Sequence, residues 1–153
     1  MTLKERLNDE LKDGMRAGDT TKVSVIRLLR SVIKNKEIEI AKGHSLTDEE
    51  IFQVISSGVK QRKESIELFE KGGRRDLVEK EQKELAILRS FLPQPISDEE
   101  LRLKVTEAIA QVGTSNLKDM GKVMKLLTQQ LAGKVEGSRL SQVVRECLDG
   151  RKV

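Results

Sequence analysis

Both prolines of the chain fall within one tripeptide, Pro93-Gln94-Pro95, so the 92 residues before it contain nothing that must break a helical hydrogen-bond ladder. Helices there can run long and stop only at glycine. Three Ser/Thr-x-x-Glu boxes mark where such helices start: Thr2 to Glu5, Thr47 to Glu50 and Ser97 to Glu100. In each, the hydroxyl caps an orphan amide of the first turn and the glutamate reaches back to the cap amide.

Behind the first box Leu3, Leu7, Leu11 and Met15 recur every four residues up to Gly18, which predicts a helix over about 2–17 with those four inward. A second helix is expected from about Asp19 to Lys42, with Val23, Ile26, Leu29, Ile33 and Ile40 inward and Gly43 as its stop. The Thr47 box opens a third, carrying Ile51, Val54, Ile55, Val59, Ile66 and Phe69 before Gly72-Gly73. A fourth should run from Arg75 to Leu92 with Leu77, Leu85, Leu88 and Leu92 inward, ended by Pro93.

After the prolines the pattern shortens to three helices, over about 98–112, 116–132 and 138–149, separated by Gly113 and Gly133. Their apolar positions are led by Leu101, Val105 and Ala108, by Leu117, Val123 and Leu127, and by Leu140, Val143 and Val144. No alternating run long enough for a strand occurs, so the fold class is all-α with no sheet. The expected division is a larger N-terminal helical subdomain at 1–92, a proline hinge at 93–96 and a C-terminal three-helix module at 97–153.

Composition then narrows the chemistry. Charged residues make up 35%, above the usual share, which suits solvated helices laced with ion pairs. A single His, His44, and a single Cys, Cys147, argue against a tetrahedral zinc site and exclude an intramolecular disulfide. With no apolar leader-like run in MTLKERLNDE, the expectation is a cytoplasmic protein with no membrane span. Gly-x-Ser-x-Gly and phosphate-loop motifs are both missing, so no catalytic residue, cofactor or metal is assigned. Asp48-Glu49-Glu50 and Asp98-Glu99-Glu100 read as first-turn acids facing a helix dipole, Cys147 as a core residue and His44 as an exposed loop residue.

Cations are distributed less evenly. Lys22, Arg27, Arg30, Lys34 and Lys36 lie between Thr20 and Lys36 with no acid among them, and Arg27, Arg30 and Lys34 share a helix face. A second group comprises Lys118, Lys122, Lys125, Lys134, Arg139 and Arg145, with Lys118, Lys122 and Lys125 expected to stack on one face. Either line suits phosphates. With only Phe52, Phe69 and Phe91 as aromatics, base stacking on single strands is poorly served, and folded RNA recognised by backbone and shape is the better match.

Several segments, in order along the whole chain, resemble the GatB/YqeY family. They are Leu3-Lys4-Glu5-Arg6-Leu7, Ile26-Arg27-Leu28-Leu29 and Ile33-Lys34-Asn35-Lys36-Glu37-Ile38, then Val59-Lys60-Gln61-Arg62 and Gly73-Arg74-Arg75-Asp76-Leu77. Leu92-Pro93 and Lys118-Asp119-Met120-Gly121-Lys122-Val123-Met124 complete the likeness, while Lys125 stands where that family usually has glycine. The resemblance implies an all-helical fold and kinship with the tail of the B subunit of the tRNA-dependent amidotransferase, an enzyme that amidates Glu-tRNA(Gln) or Asp-tRNA(Asn) using glutamine. It thereby carries the label of a carbon–nitrogen ligase with glutamine as amido-N-donor.

No glutaminase nucleophile, ATP site or metal cluster is recognisable in the sequence, so whether the chain is itself an enzyme stays open. The leading expectation is an accessory module, monomeric, binding tRNA or another structured RNA beside an aminoacyl-tRNA-linked enzyme. Its RNA-binding residues would be Lys118, Lys122, Lys125 and Lys134, with Arg27, Arg30 and Lys34 as a second line. Two alternatives stand beside it: a partner completing an amidotransferase site in trans, and a helical protein–protein adaptor with no RNA role that uses exposed apolar positions such as Ile38 or Leu46.

Overall fold

The structure is a computed structural model that describes residues 1–40, 44–113 and 116–149. Seven α-helices and no strand are present among the described residues, and the fold is all-α. They are α1 (Leu3–Ala17), α2 (Thr20–Ile40), α3 (Asp48–Lys71), α4 (Arg75–Arg89), α5 (Asp98–Val112), α6 (Met120–Gln130) and α7 (Gly137–Leu148), with a 3-10 turn at Leu117–Asp119 ahead of α6. The chain divides into two compact units, Met1–Leu92 and Pro93–Val153.

Helix starts are fixed locally. Thr2 and Thr47 each form the full reciprocal box with Glu5 and Glu50, and Ser97 accepts the Glu100 N–H. Asp19 caps α2 by accepting the Lys22 N–H at 3.1 Å. The expected stop of α2 at Gly43 lies outside the described residues. At Gly18 and Gly113 the backbone turns left-handed, φ 69° and 78°, where a Cβ would be strained, and the helices end there.

The core of the first unit is built from Leu3, Leu7 and Leu11 of α1, Ile26, Leu29 and Ile33 of α2, Ile51, Ile55 and Val59 of α3, and Leu85 and Leu88 of α4. Each such side chain taken fully from water contributes about 1.5–3 kcal/mol before entropy is counted. α4 is one turn shorter than the periodicity suggests. The Ser90 hydroxyl donates to the Ile87 carbonyl, and Phe91 and Leu92 make tight bonds three residues back, which swing Phe91 into the core at 1% exposure. The Arg6 guanidinium sits 5.1 Å from that ring's centroid and donates to the Ser90 carbonyl, tying α1 to the end of α4.

Three expected core residues turn outward instead. Spacing of four overshoots a helical turn by about 40° each step, so by Met15 the stripe has drifted by about 120° and the residue lies exposed while Gly14 is buried. Ile40 is exposed because α1 begins near Glu37, about one turn short of it. Leu117 falls in the 3-10 turn and not on the buried face of α6. Leu46 departs the other way: it is buried at 6% exposure, standing at the position before the Thr47 cap with the buried Ile51 four residues into the helix, the two positions of a hydrophobic staple. Ile96 and Leu101 occupy the same two positions around Ser97.

The second unit gathers Leu101, Val105 and Ala108 of α5, Val123 and Leu127 of α6, and Leu140, Val144 and Leu148 of α7 around Ile96. Cys147 lies at the edge of this cluster, partly buried, and burial pushes its thiol pKa up. The Ile96 N–H donates to the Lys134 carbonyl at 2.9 Å, fastening the segment before α5 to the α6–α7 connection.

Candidate functional site

The basic run of α2 separates into unequal parts. Lys22 reaches Glu10 of α1 at 3.5 Å, so an acid-free stretch of sequence is not an acid-free surface. Arg27, Arg30 and Lys34 are exposed and have no carboxylate partner among the described residues. All three line a hollow of about 580 Å³ between α1 and α2, together with Lys4, Asn8 and Ser31.

Lys4 was not legible as a site residue, because only the packing of α1 on α2 brings it beside cations some 25 positions away. Its ammonium is held by Glu37, whose carboxylate also accepts the Leu46 N–H at 2.7 Å. Those two bonds, Lys4 first, hold the Glu37 carboxyl below the ordinary range. The hollow therefore presents three unneutralised cations and a fourth that is neutralised by a carboxylate on its own wall, flanked by the short polar side chains of Asn8 and Ser31. Such a surface can take the oxygens of a phosphate backbone without base contacts.

The second line is looser. Lys118 lies in the 3-10 turn while Lys122 and Lys125 lie on α6, so the three do not form one continuous α-helical face. Lys122 is 3.8 Å from Asp119, whereas Lys118, Lys125 and Lys134 are exposed with no charge partner among the described residues. Arg139 is bound to Asp98 of α5, which removes it from the expected group. Because the two lines belong to separate units, each is a site by itself.

No cluster of three or more His, Cys, Asp or Glu side chains suited to a metal occurs among the described residues. His44 is an exposed residue ahead of α3, 3.7 Å from Glu50. The acids at the head of α3 act structurally: Asp48 accepts the Leu3 N–H at 3.1 Å, and Glu50 closes its own cap, which lowers its pKa. No helix among the described residues is long and apolar enough to cross a membrane.

These features define an all-α chain of two helical units whose distinguishing surface is cationic. Comparison with known proteins makes the class specific: a family model described as Yqey-like protein matches residues 4–148, and the chain belongs to that family. It is similar to the "Altered inheritance of mitochondria protein 41, mitochondrial" of Lachancea thermotolerans, 40% identical over 112 residues covering 72% of this chain and 59% of the relative. The protein of that name in Candida glabrata is 34% identical over 89% of this chain and 72% of its own length, and one from Saccharomyces cerevisiae is 42% identical over 61% of this chain and 50% of its own. The chain thus spans between half and three quarters of these relatives. Their names correct the cytoplasmic expectation, pointing to a mitochondrial setting instead. A lone cysteine suits the cytosol and any other reducing compartment equally.

Proposed function

We propose that this chain is an RNA-binding accessory module that grips tRNA or a similarly folded RNA beside an aminoacyl-tRNA-linked enzyme and does not act as a stand-alone catalyst. The observation that carries the reading is the hollow between α1 and α2, where Arg27, Arg30 and Lys34 converge unneutralised beside Lys4. Three guanidinium or ammonium groups at helical spacing match a run of phosphates, and the paucity of aromatics favours a folded RNA over a single strand. Lys118, Lys125 and Lys134 supply a second phosphate line in the other unit, with Lys122 weakened by Asp119.

The test is binding of labelled bulk tRNA across a salt series, with an unstructured RNA of equal length as control. Selective binding to tRNA is expected, with log K falling linearly against log salt. Replacing Arg27, Arg30 and Lys34 together by Gln should reduce the magnitude of that slope by about two to three, at just under one per phosphate contact. An unchanged slope, or equal affinity for both RNAs, overturns the reading.

A further inference from the structure

The other flank of α2 has a different character. At about 100° per residue, Leu28 and Val32 lie about 100–160° around the helix from Arg27, Arg30 and Lys34. Leu28, Val32, Lys36 and Ile40 form one row four residues apart, and its three apolar members are 57%, 38% and 54% exposed. Facing it on α3 is a second row of the same spacing, Gln53, Ser57, Gln61 and Ser65, with no charge in it although 35% of the chain is charged. α2 touches α3 far less than α4 does, and the two rows bound an open groove of about 690 Å³ floored by Val54 and Leu88.

Electrostatics single out one residue of this groove. Of the four charged residues that line it among the described residues, Arg62 is paired with Glu81, Glu81 with Arg62, and Glu50 is spent on the Thr47 cap and His44. Lys36 alone has no opposite charge among the described residues. A ligand complementary to this surface is apolar along Leu28, Val32 and Ile40, neutral toward the α3 row, and carries one carboxylate between them.

Backbone chemistry selects its conformation. An extended segment laid along an apolar helix row finds no backbone donors or acceptors there and would leave its own unpaired. A helix satisfies its own backbone, and two parallel ridges four residues apart leave the kind of channel into which a third helix packs. From Leu28 to Ile40 the row rises about 18 Å, the length of a partner helix of about twelve residues.

We propose that the α2–α3 groove is a docking site for an amphipathic helix of a protein partner, with apolar residues at i, i+4 and i+7 and an Asp or Glu set against Lys36. The site uses none of the cations assigned to RNA, so it can stand or fall independently of the RNA reading.

The test is selection of helical peptides from a displayed random library of 16-residue segments on the full chain, repeated on Val32→Glu and Lys36→Glu variants whose helix content and melting match the parent. The expected result is convergence on one apolar stripe with a single acid, at least tenfold weaker binding of those peptides to Val32→Glu, and a switch from acid to Lys or Arg at that position when selection is made on Lys36→Glu. Peptides that bind Val32→Glu as well as the parent, or show no charge switch, or fail to enrich, overturn the proposal. So does a concentration-dependent dimer of the free chain that Val32→Glu dissociates, which would give the groove to a second copy.

Discussion

The half-buried triad joining α3 to α4 gives the sharpest stability prediction. Arg62 Nη1 donates to Glu81 at 3.0 Å and to Glu84, with the three side chains only 15%, 20% and 14% exposed. Replacing Arg62 by Met keeps most of the apolar stem but leaves two carboxylates without the cation they share. Removing one member of a fully buried pair costs about 3–5 kcal/mol; partial exposure here brings the expected loss to about 2–3 kcal/mol. With a urea dependence of about 2 kcal/mol per molar, the midpoint should fall by about 1–1.5 M.

The assay can be read for one unit alone. Phe52, Phe69 and Phe91 all lie before Pro93, so near-ultraviolet circular dichroism of phenylalanine follows the first unit and is blind to the second. Adding Glu81→Gln and Glu84→Gln to Arg62→Met removes the stranded charges and should restore at least half of the lost midpoint. A single variant that moves the midpoint by less than about 0.3 M, or a triple variant no better than the single one, would refute the claim that stranded charge is the cost.

Three further outcomes follow from the remaining structure. Leu101→Ala, at a side chain with no exposure, should cost the second unit about 2–5 kcal/mol, read as faster reaction of the Cys147 thiol with a thiol reagent while the phenylalanine signal is unchanged. Glu37 has a lowered folded-state pKa, so its stabilisation is present above the ordinary glutamate pKa and is lost as pH falls through the lower folded value; Glu37→Gln should therefore melt below the parent at pH 7, with the gap closing as pH falls below the ordinary glutamate range. The same variant frees Lys4 into the α1–α2 hollow and should steepen the tRNA salt slope by about one, measured in the same titration.

What could be read from the sequence was local. Thr2, Thr47 and Ser97 announce their helices because a cap and its amide lie within three residues of each other, and Gly18 and Gly113 end theirs for an equally local reason. The staple that buries Leu46 was also written locally, as an apolar residue before a cap and another four residues after it, but helical periodicity, which puts Leu46 on no inward stripe, left it among the exposed apolar positions. Sites were less legible, since neutralisation depends on partners distant in sequence. Lys22 looked free until α1 placed Glu10 beside it, Arg139 until α5 supplied Asp98, and Lys4 looked ordinary until α2 packed over it. Lys118, Lys122 and Lys125 kept their sequence spacing but lost their common face to a 3-10 turn that spacing does not reveal.

The fastening of α1 has a bearing on how the chain is made. Its first amide is taken by Asp48, its Lys4 by Glu37, and its Arg6 by the carbonyl of Ser90 and the ring of Phe91. Every one of these anchors is synthesised later than the helix that needs it. A chain emerging from the ribosome at about 5–20 residues per second presents α1 several seconds before residue 91 exists to receive it. α1 is thus translated well before it is secured, and a ribosome-stalled chain ending before Ser90 should leave α1 open to proteolysis that the finished protein resists.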